Sequence, residues 1–217
     1  CESSAASDVY KRQVLDHPLA SMHLTRLRDK NSRPVEFRDA AKKLAQLLAA
    51  PATHSLSTRR IELTTPVAET HGTALDETVS LIPILRAGLI MVDPFLDLLP
   101  ESEVWHFGMI RDEETAEAES YYCKVPEDRP TDFAIVLDPM LATGGTLRAV
   151  IHRLQRWGVK RIAVVSLIAS PEGVAALTAE FPDIELHTCA VDSHLNEKKY
   201  IVPGLGDAGD RTFNTLR

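Results

Sequence analysis

The sequence predicts an α/β fold in which helices cover a parallel sheet. Short apolar runs of strand length recur along the chain, and helical patterns of ten or more residues separate most of them. These runs lie at residues 79–84, 104–110, 133–138 and 161–168, and a further strand is expected at 184–190. Alternation of strands and helices is typical of a parallel sheet that is wrapped by helices.

Weaker patterns predict the elements that precede this sheet. Residues 1–8 are small and polar without an apolar period, and we expect a flexible N-terminal tail over residues 1–15. Residues 35–48 place apolar side chains at helical spacing, which predicts an early packing helix. Residues 59–65 alternate, which predicts an exposed or half-buried strand that pairs with the region of residues 121–122.

Composition places the chain among globular proteins. It has 217 residues, of which 44% are hydrophobic and 25% charged, so residues 16–217 are expected to form a single domain. The net charge of −7 disfavours a nucleic acid or an anionic membrane surface as the main partner. The most apolar stretch, residues 79–99, is interrupted by prolines and charged residues, so it is predicted to be core rather than a membrane span.

Cysteine usage indicates a reducing compartment. The three cysteines, Cys1, Cys123 and Cys189, are odd in number and show no C-x-x-C spacing, so neither a disulfide framework nor a zinc site is indicated. A cytoplasmic location is the simpler inference. Cys1 in first place also fits the mature start of a lipid-anchored secreted protein, although a truncated start agrees better with the rest of the chain.

A loop at residues 135–146 has the pattern of a phosphate-binding turn. The segment reads IVLDPMLATGGT, and the apolar spacing that follows it is helical. Gly144 and Gly145 permit a tight turn, so that backbone N–H groups converge at a helix N-terminus where an anion is stabilised. Glycines alone are equally compatible with a simple helix entry. Asp138 at the end of the strand, placed to accept hydrogen bonds from ribose hydroxyls, favours a phosphorylated ribose.

Two arginines follow predicted strands at the same edge of the sheet. Arg86 precedes a turn at Ala87–Gly88, where its guanidinium and the backbone can both meet an anion; the alternative is a structural pair with a carboxylate. Arg111 opens an acidic stretch, residues 111–119, that is predicted to be a solvated loop. Such a loop can act as a lid that excludes water.

The glycine-rich segment at residues 204–209 satisfies G-x-G-x-x-G but lacks the context of a dinucleotide site. That site requires a following helix and an acidic residue about 20 positions further on, and only eight residues remain after Gly209. We therefore interpret the segment as backbone folded around a small planar ligand. The nucleoside-triphosphatase pattern, which carries a lysine, is absent from the sequence.

Several segments together resemble the type I phosphoribosyltransferases. In most of that superfamily two adjacent acids open the phosphate loop, whereas Pro139 stands in the second place here, and this form is similar to the uracil phosphoribosyltransferase family. The resemblance spans about residues 16–217 in the family's order. The segments that carry it are 83–89, 109–115, 138–146, 169–173 and 200–210.

The resemblance implies a fold, a reaction and a set of residues. The fold is the type I phosphoribosyltransferase fold with a small β-arm or hood for the base, and the reaction is that of a pentosyltransferase: uracil and phosphoribosyl pyrophosphate give UMP and pyrophosphate in pyrimidine salvage. It assigns catalysis to Asp138, Arg111 and Asp207. It assigns phosphoribosyl pyrophosphate to Arg86, Arg111, Asp138, Pro139, Met140, Leu141, Ala142, Thr143, Gly144, Gly145, Thr146 and Asp207, and uracil to Ile201, Gly206, Asp207 and Ala208.

The resemblance also implies a cofactor and partners. A diphosphate substrate travels with Mg²⁺, which mostly keeps its waters and phosphate ligands. The eight histidines show no ligand pairing, so no metal held mainly by the protein is expected. Members of the family are commonly homo-oligomers and some respond to GTP, but no residue of the sequence decides either point.

Two alternatives stay open. One is a regulatory RNA-binding protein on the same fold, which the acidic net charge disfavours. The other is an enzyme for a purine or for orotate. Orotate carries a carboxylate and requires a cation near the base, and the charged residues of the segment 200–210 are all acids.

Overall fold

One sheet runs through the molecule in the computed structural model, which describes residues 12–111, 118–123, 125–126 and 128–215. Its strand order is β1-β11-β10-β8-β4-β6-β7, with β5 paired to β4 and β9 to β10. All pairs are parallel except β6–β7. The described strands are β1 (Arg12–Val14), β2 (Thr58–Thr64), β3 (Glu69–Leu75), β4 (Val79–Leu85), β5 (Glu103–Val104), β6 (Phe107–Arg111), β7 (Ala118–Cys123), β8 (Phe133–Leu137), β9 (Met140–Leu141), β10 (Arg161–Ala169), β11 (Glu185–Val191), β12 (His194–Leu195) and β13 (Ile201–Val202).

Helices cover both faces of this sheet, which confirms the predicted α/β class. The described α-helices are α1 (Pro18–Arg28), α2 (Pro34–Ala52), α3 (Val92–Leu96), α4 (Gly145–Trp157), α5 (Pro171–Glu180) and α6 (Ala208–Phe213), and a 3₁₀ turn spans Ala87–Met91. Along β8, Phe133, Ile135 and Leu137 belong to one core cluster, shared with α2. Ala134 and Val136 belong to the other cluster, shared with α4. A strand buried on both faces explains the continuous apolar runs.

The predicted helix over residues 35–48 is the middle of α2, and its apolar side chains are buried as expected. The run predicted as one strand at 104–110 is two strands. β5 pairs with the start of β4 and β6 with its end. Within the described part of the chain, no helix is both long and apolar enough to cross a membrane.

The strand predicted at residues 59–65 exists, but the predicted partner is wrong. β2 pairs antiparallel with β3 in a hairpin, while residues 118–123 pair with β6. The loop at residues 65–68 closes on itself, since Thr65 Oγ1 accepts the Ala68 N–H at 3.0 Å. Closing a four-residue loop costs less entropy than closing a long one, so the local hairpin is favoured over pairing with a distant strand. Sequence reasoning missed β3 because residues 69–75 lack apolar alternation.

Part of the predicted N-terminal tail is ordered. Within residues 1–15, Arg12–Val14 form β1 at the edge of the sheet, in register with Leu186 to Thr188 of β11. The Leu15 N–H continues the ladder with a 2.8 Å hydrogen bond to Thr188 O. Main-chain pairing of this kind needs no apolar period, which is why the pattern gave no signal. Residues 1–11 lie outside the described part of the chain.

Candidate active site

The carboxyl ends of the parallel strands place the predicted residues along one edge of the sheet. The predicted residues Arg86 and Asp138 follow β4 and β8. Two residues to which the sequence analysis gave no role, Ser170 after β10 and Asp192 after β11, lie at the same edge. Ligands of open parallel sheets bind at this edge. Arg111 ends β6, but its side chain and the acidic residues 112–117 lie outside the described part, so the predicted lid is not placed.

The phosphate loop, residues 138–146, forms a pocket at the N-terminus of α4. The pocket encloses about 120 Å³, enough for several water molecules or a phosphate group. Gly144 has φ +79°, a left-handed conformation that suits glycine, and it directly precedes the first turn of the helix. The described lining residues are Asp138, Met140, Leu141, Ala142, Thr143, Gly144, Gly145, Thr146 and Leu147.

Pro139 is part of this loop but does not line the pocket. It is buried against the sheet, where its C=O accepts the N–H groups of Leu167 at 3.0 Å and Ile168 at 3.1 Å. Pro139 therefore holds the loop to β10. The residues on either side of it, Asp138 and Met140, line the pocket, and the contact of Pro139 itself with phosphoribosyl pyrophosphate stays a prediction.

Ser170 and Gly173 contact the phosphate loop at Ala142 O. The sequence analysis assigned neither residue a role. The Ser170 hydroxyl donates to Ala142 O at 2.6 Å and accepts the Gly173 N–H at 2.9 Å. A Cβ at Gly173 would lie 2.2 Å from Ala142 O, so only glycine lets α5 approach this closely. The available signal was the Ser-Pro-Glu-Gly helix start, in which serine is a preferred cap.

Asp138 is the titratable group at the floor of the pocket. Its side chain is half-buried, and Oδ1 accepts a long 3.4 Å hydrogen bond from the Met140 N–H. Desolvation by the surrounding protein raises the pKa of this carboxyl from 3.8 to about 7, and the hydrogen bond only partly opposes that rise. A site that perturbs a carboxyl in this way at a strand end is a candidate for chemistry.

The raised pKa predicts that Asp138→Asn stabilises the protein in a pH-dependent way. The unfolded chain ionises this group near pH 3.8 and the folded chain only near pH 7, so ionisation disfavours the folded state increasingly between these values. The gain in unfolding free energy should therefore be small at pH 4.5, grow up to about pH 7, and be constant above it. Urea unfolding of both proteins at pH 4.5, 6 and 8 measures this. An equal difference at all three values contradicts the assignment.

Arg86 lies beside α6. Its Nη2 is 3.2 Å from Asp210 Oδ1, and its guanidinium lies 5.9 Å from the centre of the Phe213 ring. The side chains of Arg86 and Asp210 are 56% and 35% exposed, and such an ion pair contributes little in water. The structural pairing that the sequence left open is thus present, yet it is weak enough for a doubly charged anion to compete for the guanidinium.

The segment at residues 203–207, here named the base loop, lies next to Arg86. Asp207 caps α6, because its Oδ1 accepts the Asp210 N–H at 2.8 Å. A Cβ at Gly209 would be 3.2 Å from Asp207 Oδ1 and 3.7 Å from Arg86 Nη2, so glycine here brings the two charged groups together. Ile201 and Ala208 are both buried, and the Ile201 side chain packs in the core.

Three charged residues that sequence reasoning missed hold the base loop. Arg28 and Asp192 contact Gly204, and Arg211 contacts Leu205. The Arg28–Asp192 contact joins residues 164 positions apart, a distance over which no local pattern operates. The available signal was only the position of Asp192, directly after a buried strand.

Comparison with known proteins agrees with this architecture. The family model described as uracil phosphoribosyltransferase matches residues 14–215. The chain belongs to the uracil phosphoribosyltransferase family. It is 48% identical over 202 residues to a protein named uracil phosphoribosyltransferase from Roseiflexus castenholzii, covering 93% of this chain and 97% of that one.

Further members of the uracil phosphoribosyltransferase family show the same extent of similarity. A relative of that name from Malacoplasma penetrans is 47% identical, with 93% of this chain and 98% of the relative covered. The solved structure of the AQ2163 protein from Aquifex aeolicus superposes with a TM-score of 0.88 at 33% identity, covering 93% of this chain and 97% of that one. The predicted resemblance is therefore confirmed over nearly the whole chain, whereas the assignment of individual residues stays a prediction.

Proposed function

We propose that the protein transfers the phosphoribosyl group of phosphoribosyl pyrophosphate to uracil, giving UMP and pyrophosphate for pyrimidine salvage. One observation carries this proposal besides family membership. A phosphate-sized pocket at the N-terminus of α4 contains a single carboxylate, Asp138, among its described lining residues. The base loop and Arg86 lie at the same edge of the sheet, which supplies sites for the base and the diphosphate.

The reaction is a displacement at the anomeric carbon. The bond from C1 of the ribose to pyrophosphate breaks, the bond from C1 to N1 of uracil forms, and the N1 proton of uracil leaves with the pyrophosphate product. Positive charge develops on the sugar, and the carboxylates of Asp138 and Asp207 stabilise it through electrostatics and hydrogen bonds to ribose. Arg86 and Arg111 stabilise the negative charge on the departing pyrophosphate. No covalent enzyme intermediate is required, and positioning supplies much of the rate.

Mg²⁺ fits this site as a companion of the diphosphate. Magnesium is usually held by one or two carboxylates together with substrate phosphates and water, and the phosphate pocket offers one carboxylate, Asp138, because Pro139 carries none. When bound, the ion would neutralise charge on the diphosphate. The protein's own part is to hold the 5′-phosphate at the helix N-terminus and the ribose at Asp138.

Base choice is proposed to rest on main-chain groups around Gly206 and Ala208. Both main-chain groups of Gly204 and the C=O of Leu205 are used in contacts with Asp192, Arg28 and Arg211. Among the described residues, the N–H and C=O of Gly206 have no hydrogen-bond partner. An unpaired donor and acceptor at adjacent positions match the N–H and C=O edge of uracil.

A base panel tests the proposal. Purified protein is mixed with labelled phosphoribosyl pyrophosphate, Mg²⁺ and one free base at a time, and nucleotide formation is followed. Formation of UMP with uracil alone is expected. Preference for a purine or for orotate contradicts the proposed substrate, and salt-dependent RNA binding without transfer points to the regulatory alternative.

Arg111→Ala is expected to impair the use of phosphoribosyl pyrophosphate far more than that of uracil. Its proposed contact is with the diphosphate, after the loop that it opens closes over the site. The KM for phosphoribosyl pyrophosphate should rise by about tenfold or more, which corresponds to one lost charge-assisted hydrogen bond. Two-substrate saturation kinetics measure this, with Arg59→Ala on β2 as a surface control. A change confined to the KM for uracil rules out the role.

Further parts of the proposal rest on the resemblance and on composition. We propose a single domain over residues 16–217, a homo-oligomer, a response to GTP and a cytoplasmic location, the last because free thiols suit a reducing compartment. Sedimentation tests whether the protein is a homo-oligomer, and UMP synthesis with and without GTP tests the response to GTP.

A further inference from the structure

We propose that Arg28 and Asp192 are positioning residues that set the shape of the base loop and thereby the affinity for uracil. The inference rests on the proposed function and extends it to two residues outside the segments that contact substrate. Arg28 is the last residue of α1, and Asp192 directly follows β11. Together they fasten the loop to two separate elements of the fold.

The two side chains occupy both main-chain groups of Gly204. Asp192 Oδ2 accepts the Gly204 N–H at 2.9 Å, and Arg28 Nη1 donates to Gly204 O at 3.1 Å. Arg28 also holds the carboxylate in a two-pronged contact, with Nη1 2.8 Å from Oδ2 and Nη2 2.5 Å from Oδ1. A guanidinium is the side chain that can make all these contacts at once.

The backbone at Gly204 requires such an anchor. Its φ is +64°, and a Cβ would lie 2.2 Å from Ile201 O. The main chain therefore approaches itself so closely here that no side chain fits. Arg211 fixes the next residue, because its Nη1 donates to Leu205 O at 2.7 Å. The loop is thus bound at Gly204 and at the C=O of Leu205, and Gly206 follows directly with both of its main-chain groups unpaired among the described residues. A shift at Gly204 is transmitted directly to the groups that read the base.

Burial distinguishes this ion pair from a surface contact. The Asp192 side chain is only 3% exposed, and that of Arg28 is 23% exposed. A buried pair contributes little net stability when it is compared with apolar residues, whereas truncating one partner leaves an unpaired charge. The Arg28–Asp192 pair is therefore better explained by the conformation that it gives the base loop than by a contribution to the stability of the fold. Conservative substitutions are the informative ones.

The test is Arg28→Lys, because lysine keeps the charge but cannot make the two-pronged contact and the bond to Gly204 together. We expect the KM for uracil to rise by about tenfold or more and the ratio of uracil to cytosine use to fall, with the KM for phosphoribosyl pyrophosphate within about twofold of the parent. In a second series, Asp192→Asn keeps an oxygen for the Gly204 N–H and should impair uracil use less than Asp192→Ala does.

Arg161→Lys is the matched control. Arg161 also bridges a carboxylate and a main-chain carbonyl: its Nη1 lies 3.1 and 2.8 Å from the two carboxylate oxygens of Glu77, and its Nη2 donates to Ser55 O at 2.8 Å, at the opposite edge of the sheet. The Glu77 side chain is 8% exposed, so loss of stability in the two lysine variants should be similar. Only Arg28→Lys should change the KM for uracil.

The outcomes separate the inference from the proposed function. Equal loss of stability in both lysine variants with an unchanged KM for uracil overturns the positioning role. Asp192→Asn and Asp192→Ala with the same KM for uracil as the parent overturn it as well, even if Arg28→Lys does not fold. A parent protein that forms no nucleotide from uracil overturns the proposed function instead.

Discussion

Asp138→Asn should lower turnover by about 10²–10³ without unfolding the protein, which is the loss seen when one group that stabilises a transition state is removed. Asp138 is the only carboxylate among the described lining residues of the phosphate pocket. Pro139 cannot substitute for it, because it has no side-chain oxygen and its C=O is bound to β10. Asparagine keeps the size of the side chain but removes the charge that we propose stabilises the sugar.

The pH dependence of turnover identifies the ionised form as the active one. Because burial raises the pKa of the Asp138 carboxyl to about 7, the fraction of carboxylate in the substrate-free protein increases through neutrality. The value of kcat/KM should rise with pH through a pKa near 7 in the parent, and this rise should be absent in Asp138→Asn. Steady-state kinetics from pH 5.5 to 8.5 provide the measurement.

The matched control is Asp97→Asn, which makes the same substitution at an exposed aspartate after α3. Turnover of that variant should equal the parent's. If Asp138→Asn stays within a factor of three of the parent at pH 8, Asp138 does not stabilise the transition state. The same variant should then still unfold at higher urea concentration at pH 8, because its stability effect depends only on burial.

The phosphate loop is the part of the site that could be predicted from sequence, because its determinants are local. A buried strand, Asp138, two glycines and helical spacing follow one another within a few residues, and each acts on its own neighbours. The sheet was predictable for the same reason, since burial on both faces of β8 and β10 leaves unbroken apolar runs. Local rules also predicted α2 and α4.

The support of the base loop could not be predicted, because its partners are distant in sequence. Arg28 and Asp192 look like ordinary charged residues until the fold places them on either side of Gly204. Pro139 shows the complementary case: it lies within a recognisable segment, but the pattern does not reveal that its C=O is bonded to β10. Sequence indicates which segments form the site, and tertiary packing decides which atoms in them face a ligand.

Base selectivity is expected to survive Ile201→Ala, whereas Gly206→Val should abolish uracil use. Uracil presents a carbonyl acceptor beside a ring N–H donor, whereas cytosine presents an amino donor beside a bare ring nitrogen. A site that hydrogen-bonds one pattern leaves its buried groups unpaired against the other, and this can reject the analogue by about 10⁴ or more. Main-chain groups around Gly206 form such a pattern irrespective of the Ile201 side chain.

Packing explains why Ile201→Ala changes stability rather than selectivity. The Ile201 side chain is 4% exposed and belongs to the core. Its truncation should lower the unfolding free energy by about 2–5 kcal/mol and weaken uracil binding, while the preference over cytosine remains. Ile201→Val, at about 0.5–1.5 kcal/mol, is the milder control if the alanine variant is too unstable to assay.

Backbone conformation explains why Gly206→Val should abolish uracil use. Gly206 has φ +79°, and a Cβ there would meet only Arg211 Cδ, at 3.5 Å. Space for a side chain is therefore available, but a β-branched residue does not adopt this backbone conformation, so the main chain must move. Its N–H and C=O groups then no longer point where uracil is proposed to bind. Gly206→Ala should lie between the parent and the valine variant. The measurement is the formation of UMP from uracil and of CMP from cytosine in all four variants. If Ile201→Ala no longer prefers uracil to cytosine, or if Gly206→Val uses uracil normally, other atoms select the base.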